Sequence, residues 1–305
     1  MRAPTSRPTI APRSSCAPSP PEPASEFAAV NSDCGHAPAR AKKSLGQNFL
    51  IDPNLQRKIV QALAAGPDDE VLEIGPGRGA LTAHLIGRPR RLILVELDDR
   101  LAADLVERWG ARPDVQVVHG DALEVDLPGL AERPHALKVL GNIPYNITSP
   151  LLFRLLKRPR PAQILVMVQR EVAERLLADA GTSEYGALAV GVRSVADVER
   201  VLHVPRQAFR PVPRVDSTVV RITPHDPPRL TEHDEKALRV LVRACFQWRR
   251  KQLQKTLREH PDLLLDRALL EPIGAATGFD LSERPERLSP EELLALSRAI
   301  AAILG

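Results

Sequence analysis

The fold is constrained most strongly by short apolar runs that alternate with segments of helical periodicity between residues 41 and 224. The apolar runs, rich in Val, Ile and Leu, cover residues 70–74, 91–96, 115–118, 136–140 and 164–168. Helical spacing covers residues 54–65, 81–86, 101–109 and 150–156. Continuous apolar strands separated by helices are typical of a parallel α/β sheet that helices cover on both faces. Residues 217–222 alternate apolar and polar side chains, which predicts an antiparallel strand at one side of the sheet.

Polar residues or glycines stand at the carboxyl ends of four predicted strands. In chain order they are Gly75, Glu96, Asp121 and Asn142. Ligands of α/β sheets bind outside the carboxyl ends of the strands, so we expect these four residues to meet at one ligand site.

The glycines after the first strand indicate the kind of ligand. They stand in E-I-G-P-G-R-G, at Gly75, Gly77 and Gly79. The third glycine comes one residue earlier than in the G-x-G-x-x-G pattern of dinucleotide sites. Glu96 follows about 20 residues later, where a carboxylate can accept hydrogen bonds from a ribose. The pattern suits S-adenosylmethionine, which has a ribose but no phosphate, with Asp121 as a partner for the adenine amine.

Residues 141–150 read G-N-I-P-Y-N-I-T-S-P and contain one of only two tyrosines in the chain. The Asn142 side-chain oxygen and a backbone carbonyl beside Pro144 can each accept a hydrogen bond from an exocyclic amine. The Tyr145 ring can stack on the same base, a contact of roughly 1–3 kcal/mol. The segment therefore predicts a site for the amine of a flat base. The structural alternative is a strand that ends in a proline turn, with Tyr145 in the core.

Six sequence blocks resemble, in order, those of the KsgA/RsmA-type small-subunit rRNA adenine dimethyltransferases. The blocks are K-S-L-G-Q-N-F-L-I-D (43–52), V-L-E-I-G-P-G-R-G-A-L-T (71–82), residues 95–98, 120–123 and 141–145, and F-R-P-V-P-R-V-D-S (209–217). The resemblance extends from about residue 42 to the C-terminus. It implies a Rossmann-like methyltransferase domain over residues 41–225 and a small all-helical RNA- or ribosome-docking domain over residues 226–305.

The resemblance also implies a reaction and the residues that perform it. The implied reaction is the S-adenosylmethionine-dependent dimethylation of N6 of two adjacent adenines, in a loop near the 3′ end of small-subunit (16S) rRNA, as part of ribosome biogenesis. The implied cofactor contacts are Asn48, Leu50, Gly75, Glu96, Asp121 and Asn142. The implied catalytic residues are Asn142, Pro144, Tyr145 and Phe209, with the adenine between the two aromatic rings. Such a transfer depends mostly on positioning, so no metal is expected.

The region after residue 225 differs in character. Residues 231–259 and 289–304 have helical periodicity, and a basic cluster lies in the first of these segments. The cluster comprises Arg249, Arg250, Lys251 and Lys255. It resembles the family's ribosome-facing segment, and the sequence pI of about 9.1 fits a polyanionic partner. The alternative is a solvated helix face. Further basic residues, Arg206, Arg210 and Arg214, flank Phe209, where an RNA backbone would pass.

Composition indicates which parts of the chain fold and in which compartment the protein works. Residues 1–40 are rich in Pro, Ala and Ser without apolar periodicity, which predicts a disordered tail. We interpret this tail as a dispensable extension and keep an organelle-targeting segment as the alternative. The three widely spaced cysteines argue against a disulfide framework and for a reducing compartment. With no apolar run of membrane-spanning length, we expect a cytoplasmic, monomeric protein that binds small ribosomal particles and no membrane.

Three alternative functions stay open at this point. A large-subunit rRNA adenine methyltransferase of the macrolide-resistance type shares the fold and the N-x-P-[YF] block. A ribosome-assembly or transcription factor can keep the fold and act by binding alone. A DNA adenine methyltransferase is disfavoured because its usual motif, D-P-P-Y, has an acid where this chain has Asn142.

Overall fold

The computed structural model describes residues 47–143 and 147–304, and its centre is a seven-stranded sheet. In chain order, the strands are β1 (Phe49–Leu50), β2 (Glu70–Ile74), β3 (Arg91–Glu96), β4 (Val115–His119), β5 (Lys138–Asn142), β6 (Gln163–Gln169), β7 (Ala196–Val204), β8 (Phe209–Arg210) and β9 (Ser217–Pro224). The five predicted apolar runs form β2 to β6, with boundaries that shift by two residues at most. The predicted α/β class is confirmed.

The strand order across the sheet is β4-β3-β2-β5-β6-β9-β7. Strands β2 to β6 run parallel, whereas β9 is antiparallel to both β6 and β7. At the carboxyl end of β2, Ile74 lies opposite Val95 of β3 and Gly141 of β5. After β2 the chain forms β3 and β4 on one side of β2, and it then returns to form β5 on the other side. The crevice between β2 and β5 is therefore the point where such sheets bind ligands.

Helices connect the strands and cover both faces of the sheet. In chain order they are α1 (Pro53–Leu63), α2 (Thr82–Leu85), α3 (Asp99–Trp109), α4 (Thr148–Leu155), α5 (Arg170–Leu177), α6 (Ala187–Arg193), α7 (Glu232–Gln247), α8 (Leu253–Glu259), α9 (Leu270–Thr277) and α10 (Pro290–Leu304). Side chains fix two of the helix starts that border the site. Asp52 caps α1 by accepting from the Asn54 and Leu55 amides, and Asp98 caps α3 by accepting from Arg100 N.

Alternate residues of the strands supply two cores, one on each face of the sheet. Leu72, Ile74, Ile93 and Val95 belong to one buried cluster, whereas Val71, Leu92 and Leu94, which alternate with them, belong to the other. This period of two explains why β2, β3 and β6 contain no exposed position, and it confirms that both faces are covered.

The helices after residue 230 pack around a third core. This core also includes residues that precede the last strand, among them Tyr185, Ala189 and Val190. The Tyr185 hydroxyl donates to Leu288 O over 2.7 Å, and its ring meets Phe246 edge-on. Burial raises the pKa of this tyrosine, which keeps it neutral. Tyr185 thus has a packing role and fastens the helical region to the segment between α5 and α6.

Two details of the predicted secondary structure were wrong. The helix predicted over residues 231–259 is two helices, because the amides of Leu253 and Gln254 donate to Glu283 O and Leu281 O instead of continuing the helical ladder. Strand β7 was not predicted. It contains Asp197, Glu199 and Arg200, and its edge position leaves those charged side chains in water. Strand β9 is antiparallel as predicted, yet β7 lies outside it and forms the edge.

Some sequence predictions concern residues outside the described ranges. The tail over residues 1–40 is one of them, and Pro144 and Tyr145 are others. The division into domains at residues 225 and 226 stays a prediction.

Candidate active site

A cavity opens at the carboxyl edge of the sheet, where β2, β3 and β5 end beside the segment that contains β1. Its lining includes all six residues predicted to contact the cofactor, namely Asn48, Leu50, Gly75, Glu96, Asp121 and Asn142. They come from positions up to 94 residues apart in the chain, and the parallel register of the strands brings them together.

The glycine loop forms one wall of the cavity through its backbone. Gly75 has φ of +66° and Gly77 has φ of +59°, a region that other residues rarely adopt. A Cβ on Gly77 would come within 3.2 Å of the Phe49 ring, and one on Gly75 would lie 3.4 Å from Asn142 O. The β1 segment therefore packs directly on the loop, which needs glycine here for both conformation and space.

Glu96 ends β3 with its carboxylate buried and already oriented. One oxygen accepts from Gly77 N over 2.9 Å and the other from Asp98 N over 2.9 Å. Burial raises the pKa of Glu96, with the negative charge of Asp98 adding to the effect, although the two amide bonds oppose it. A carboxylate offers about four lone-pair positions, so the backbone amides leave Glu96 with acceptor capacity for a hydroxyl donor.

Glu73 is a second buried carboxyl group in the lining, and it was not predicted. It lies on β2 at 1% exposure and accepts a 2.7 Å hydrogen bond from the Thr82 hydroxyl. Burial raises its pKa from 4.5 to about 7, and the nearby Glu96 contributes to this rise. Its sequence signal is an acid inside the apolar run V-L-E-I, a position where an unpaired charge is rarely found.

Asp121 and Asn142 complete the polar lining. Asp121 Oδ1 accepts from Leu123 N over 2.8 Å, which holds the carboxylate at the end of β4. The Asn142 amide nitrogen donates to Asn48 O over 3.3 Å. That bond fixes the orientation of the amide, whose Oδ1 is the atom that can accept from a ligand.

Phe209 lies beside this cavity and not in its described lining. It is 1% exposed in β8, which pairs antiparallel with β1 so that Phe209 lies opposite Leu50. The backbone of Ile51 donates to Ala208 O over 2.8 Å and extends the ladder. The predicted base contact by Phe209 stays a prediction, because the ring packs in the core of this structure.

The predicted basic cluster lies on the turn between α7 and α8 and in the first turn of α8, and its members differ. Arg249 is ion-paired with Glu286 and also donates to Thr182 O over 3.1 Å, so it binds the helical region internally. Arg250, Lys251 and Lys255 are exposed. Lys255 lies 3.6 Å from Glu259, one turn along α8.

The polar groups of the cavity distinguish between candidate ligands. Two buried carboxyl groups, Glu73 and Glu96, would repel a pyrophosphate, and Gly77 N is already bonded to Glu96. The same groups favour a ligand with positive charge and ribose hydroxyls. S-adenosylmethionine combines a sulfonium, an ammonium group and a ribose. The fold and the cavity together define an α/β methyltransferase that uses this cofactor.

Comparisons with known proteins specify the class. The model of the family described as ribosomal RNA adenine dimethylase matches residues 39–266. The ribosomal RNA small subunit methyltransferase A of Geobacter metallireducens is 42% identical over 269 residues, which cover 87% of this chain and 98% of that protein. The protein with the same description from Nitratidesulfovibrio vulgaris is 43% identical over 268 residues, with 87% and 98% covered.

Solved structures agree with the sequence comparison. A dimethyladenosine transferase from Plasmodium falciparum superposes with a TM-score of 0.67 at 28% identity, covering 81% of this chain and 95% of that one. The 23S rRNA methyltransferase ErmE superposes with a TM-score of 0.63 at 30% identity, covering 83% and 100%. The chain belongs to the ribosomal RNA adenine dimethylase family. It is thus an S-adenosylmethionine-dependent rRNA adenine methyltransferase, as the sequence predicted.

No described helix is both long and apolar enough to span a bilayer. Within the same residues, no group of three or more His, Cys, Asp or Glu side chains is arranged to hold a metal ion.

Proposed function

We propose that this protein dimethylates N6 of two adjacent adenines in a loop near the 3′ end of small-subunit rRNA. The observation that carries the chemistry is the fixed Asn142 amide, whose nitrogen is bonded to Asn48 O at the cavity wall. Its oxygen is thereby the acceptor for an N–H of the target amine. The choice of subunit rests on the curated relatives at 42% and 43% identity, which are described as small subunit methyltransferase A.

Glu96, Asp121 and Asn142 hold S-adenosylmethionine in this proposal, with Asn48, Leu50 and Gly75 around it. Glu96 accepts from the ribose hydroxyls and Asp121 from the adenine amine. When bound, the cofactor supplies a methyl group on a positively charged sulfur. The buried carboxyl group of Glu73 lies in the same cavity and favours that positive charge.

Asn142 and the Pro144 carbonyl accept hydrogen bonds from N6 of the target adenine, while Tyr145 and Phe209 stack on its ring. These bonds direct the N6 lone pair toward the methyl group. The lone pair forms the new N–C bond as the C–S bond breaks with its electrons left on sulfur, and the amine then loses a proton to water. Rate acceleration comes mainly from positioning. A base held this way has left its stack, so the substrate is an unpaired loop.

The exposed members of the basic cluster, Arg250, Lys251 and Lys255, contact rRNA phosphates in this proposal. Arg249 supports them, since its bonds to Glu286 and Thr182 hold the turn in place. The helical region after residue 225 is then the ribosome-docking domain. We also propose that the protein is a cytoplasmic monomer, which sedimentation with and without particles would check.

The test is a methylation assay with two substrates. The purified protein and S-adenosylmethionine are incubated with small ribosomal particles that lack these methyl groups and, separately, with large-subunit rRNA. Mass spectrometry of nuclease fragments then locates new methyl groups. We expect two dimethyladenosines near the 3′ end of small-subunit rRNA. Methyl groups only on large-subunit rRNA would support the ErmE-like alternative, and particle binding without methylation would support an assembly factor.

A further inference from the structure

The segment between β7 and β9 presents three exposed arginines beside the cavity. They are Arg206, Arg210 and Arg214, which we call the rim arginines. Ser217, the first residue of β9, pairs with Gln169 at the end of β6 and with Val204 at the end of β7. The rim arginines therefore lie at the carboxyl edge of the sheet, the edge where Asn142 ends β5.

The only described acid of this segment, Asp216, bonds to backbone amides through one carboxylate oxygen and through its main-chain carbonyl. Asp216 Oδ1 accepts from Arg206 N over 2.9 Å, and Asp216 O accepts from Arg170 N over 3.0 Å. Oδ2 lies 3.7 Å from the His203 ring. Asp216 thus holds the backbone at both ends of the segment, and its carboxylate makes no described ion pair with a rim arginine.

Two of the rim arginines bond to neutral carbonyl groups. Arg210 donates to Phe209 O over 2.9 Å and to Gln207 O over 3.2 Å, and Arg206 reaches Arg214 O at 3.5 Å. Among residues 47–143 and 147–304, none of the three makes an ion pair with an acid. Their positive charges are therefore uncompensated within this part of the chain, an arrangement that suits a polyanionic ligand.

One rim arginine, Arg210, is linked to the cavity by a short ladder. Arg210 lies opposite Phe49 in the β1–β8 pair, and the Phe49 ring packs on Gly77 of the glycine loop. Asn48 precedes β1 and accepts from the Asn142 side chain. A strand of nucleic acid along the rim arginines would thus pass next to the amide that receives the target amine.

We propose that the rim arginines bind the phosphates that flank the target adenosine and hold the unpaired RNA segment at the mouth of the cavity. This proposal rests on the proposed function and adds an RNA contact beside the active site. That contact is separate from the basic cluster near the turn between α7 and α8. Arginine suits this task because its planar guanidinium can bond to two oxygens of one phosphate. The contact concerns the backbone, so it is independent of base sequence.

The test compares two triple variants that lose the same charge. One is Arg206→Gln, Arg210→Gln and Arg214→Gln. The control is Arg88→Gln, Arg112→Gln and Arg133→Gln. The control arginines are exposed, and each precedes a parallel strand, so they lie at the amino edge. Binding of a short unpaired RNA by fluorescence anisotropy and the KM for small ribosomal particles are measured at several salt concentrations.

We expect the rim variant to bind the short RNA about tenfold or more weakly and to raise the KM. Its slope of log affinity against log salt should fall by about 2, since each single-strand phosphate contact contributes about 0.7. The control should match wild type. S-adenosylmethionine affinity, unchanged in both, shows that the fold is intact. If the triple rim variant misfolds, Arg214→Gln alone should still lower the slope by about 0.7.

Equal salt slopes for the rim variant and the control would overturn the proposal. That result is separable from failure of the proposed function. If only the rim-arginine proposal is wrong, wild-type protein methylates the small-subunit particle and the rim variant does so with unchanged KM. If the proposed function is wrong, wild-type protein itself transfers no methyl group to that particle.

Discussion

At the amino edge of the sheet, Glu70 begins β2 and lies within 3.6 Å of Arg90 and 3.4 Å of Arg91. At the carboxyl edge, Glu73 lies on the same strand and Glu96 ends the next one. Burial would raise the pKa of Glu70, yet the amides of Arg133 and Glu132, together with Arg90, lower it. Burial raises the pKa of Glu73 and of Glu96, and no described cation compensates.

The difference shows that the buried acid at the amino edge stabilises the fold, whereas the buried acids at the carboxyl edge are suited to binding a ligand. Glu70 is charged and fully paired inside the protein, so it has nothing left to offer a ligand. Glu73 and Glu96 are equally buried and lack a cation, an arrangement that costs stability unless a ligand supplies the missing charge. Cations neutralise the buried acid at the amino edge, whereas no described cation pairs with the two buried acids at the carboxyl edge, which matches a site for a cationic cofactor.

The largest expected effect at the carboxyl edge concerns the adenine. Replacing Tyr145 by alanine removes the stacking ring, and we expect turnover to fall by about 100-fold or more, because loss of positioning alone can cost that much. Single-turnover methyl transfer to small-subunit particles measures it.

Tyr145→Phe is the matched control, since it keeps the ring and should retain most activity. S-adenosylmethionine affinity should be unchanged in both variants. Normal methyl transfer by Tyr145→Ala would refute the stacking role.

The two carboxyl groups of β2 should give opposite trends of stability with pH. The pKa of Glu73 rises from 4.5 to about 7 on folding. Between these two pH values, Glu73 is protonated in the folded state and ionised in the unfolded state. The stabilisation that this proton gives to the folded state is therefore complete below about pH 4.5 and is lost as the pH rises to 7. The loss amounts to about 3 kcal/mol of the free energy of unfolding. Urea unfolding from pH 4.5 to 8 should show that Glu73→Gln removes this decline.

Glu70→Gln is the comparison for that experiment. Because the folded-state pKa of Glu70 is lowered, its stabilisation is present above its unfolded pKa and lost on acidification. The Glu70 variant should therefore lose stability at neutral pH and differ less from wild type in acid. If the Glu73 and Glu70 variants change in the same direction with pH, the contrast between the edges is wrong.

Replacing Glu96 by glutamine should weaken cofactor binding by about 10- to 100-fold, since a hydrogen bond to a charged acceptor contributes about 1.5–3 kcal/mol. Isothermal titration calorimetry with S-adenosylmethionine measures it. Glu70→Gln, an equally buried substitution at the other edge, should leave the dissociation constant unchanged. An unchanged constant for Glu96→Gln would remove Glu96 from the cofactor site.

The smallest expected effect lies on the turn between α7 and α8. Arg250→Ala with Lys251→Ala should raise the KM for small-subunit particles a few-fold and reduce the salt slope of particle binding by about 1–2. Lys236→Ala with Arg239→Ala removes the same charge from exposed positions of α7 and should change neither quantity. Identical slopes for the two double variants would make the cluster a solvated surface.

The parallel sheet and the meeting of the strand ends could be predicted because each strand is an apolar run and each functional residue follows it directly. Gly75, Glu96, Asp121 and Asn142 line one cavity for that reason. The register of a parallel sheet brings the carboxyl ends to one edge whatever the loops do.

Other features depend on contacts that no local pattern contains. The break between α7 and α8 follows from hydrogen bonds to residues 281–283. The internal pairing of Arg249 needs Glu286, and the burial of Phe209 follows from the β1–β8 ladder. Glu73 was visible in the sequence as an acid within an apolar run, but its raised pKa depends on burial and on the nearby charge of Glu96. In each case a distant segment determines the outcome.

A crystal structure with S-adenosylmethionine bound would test the central claim most directly. We predict the ribose hydroxyls within hydrogen-bond distance of Glu96, the adenine amine beside Asp121 and the methyl group directed toward the Asn142 side chain. A cofactor bound elsewhere, or one in this cavity with its ribose away from Glu96, would contradict the assignment of the carboxyl edge as the active site.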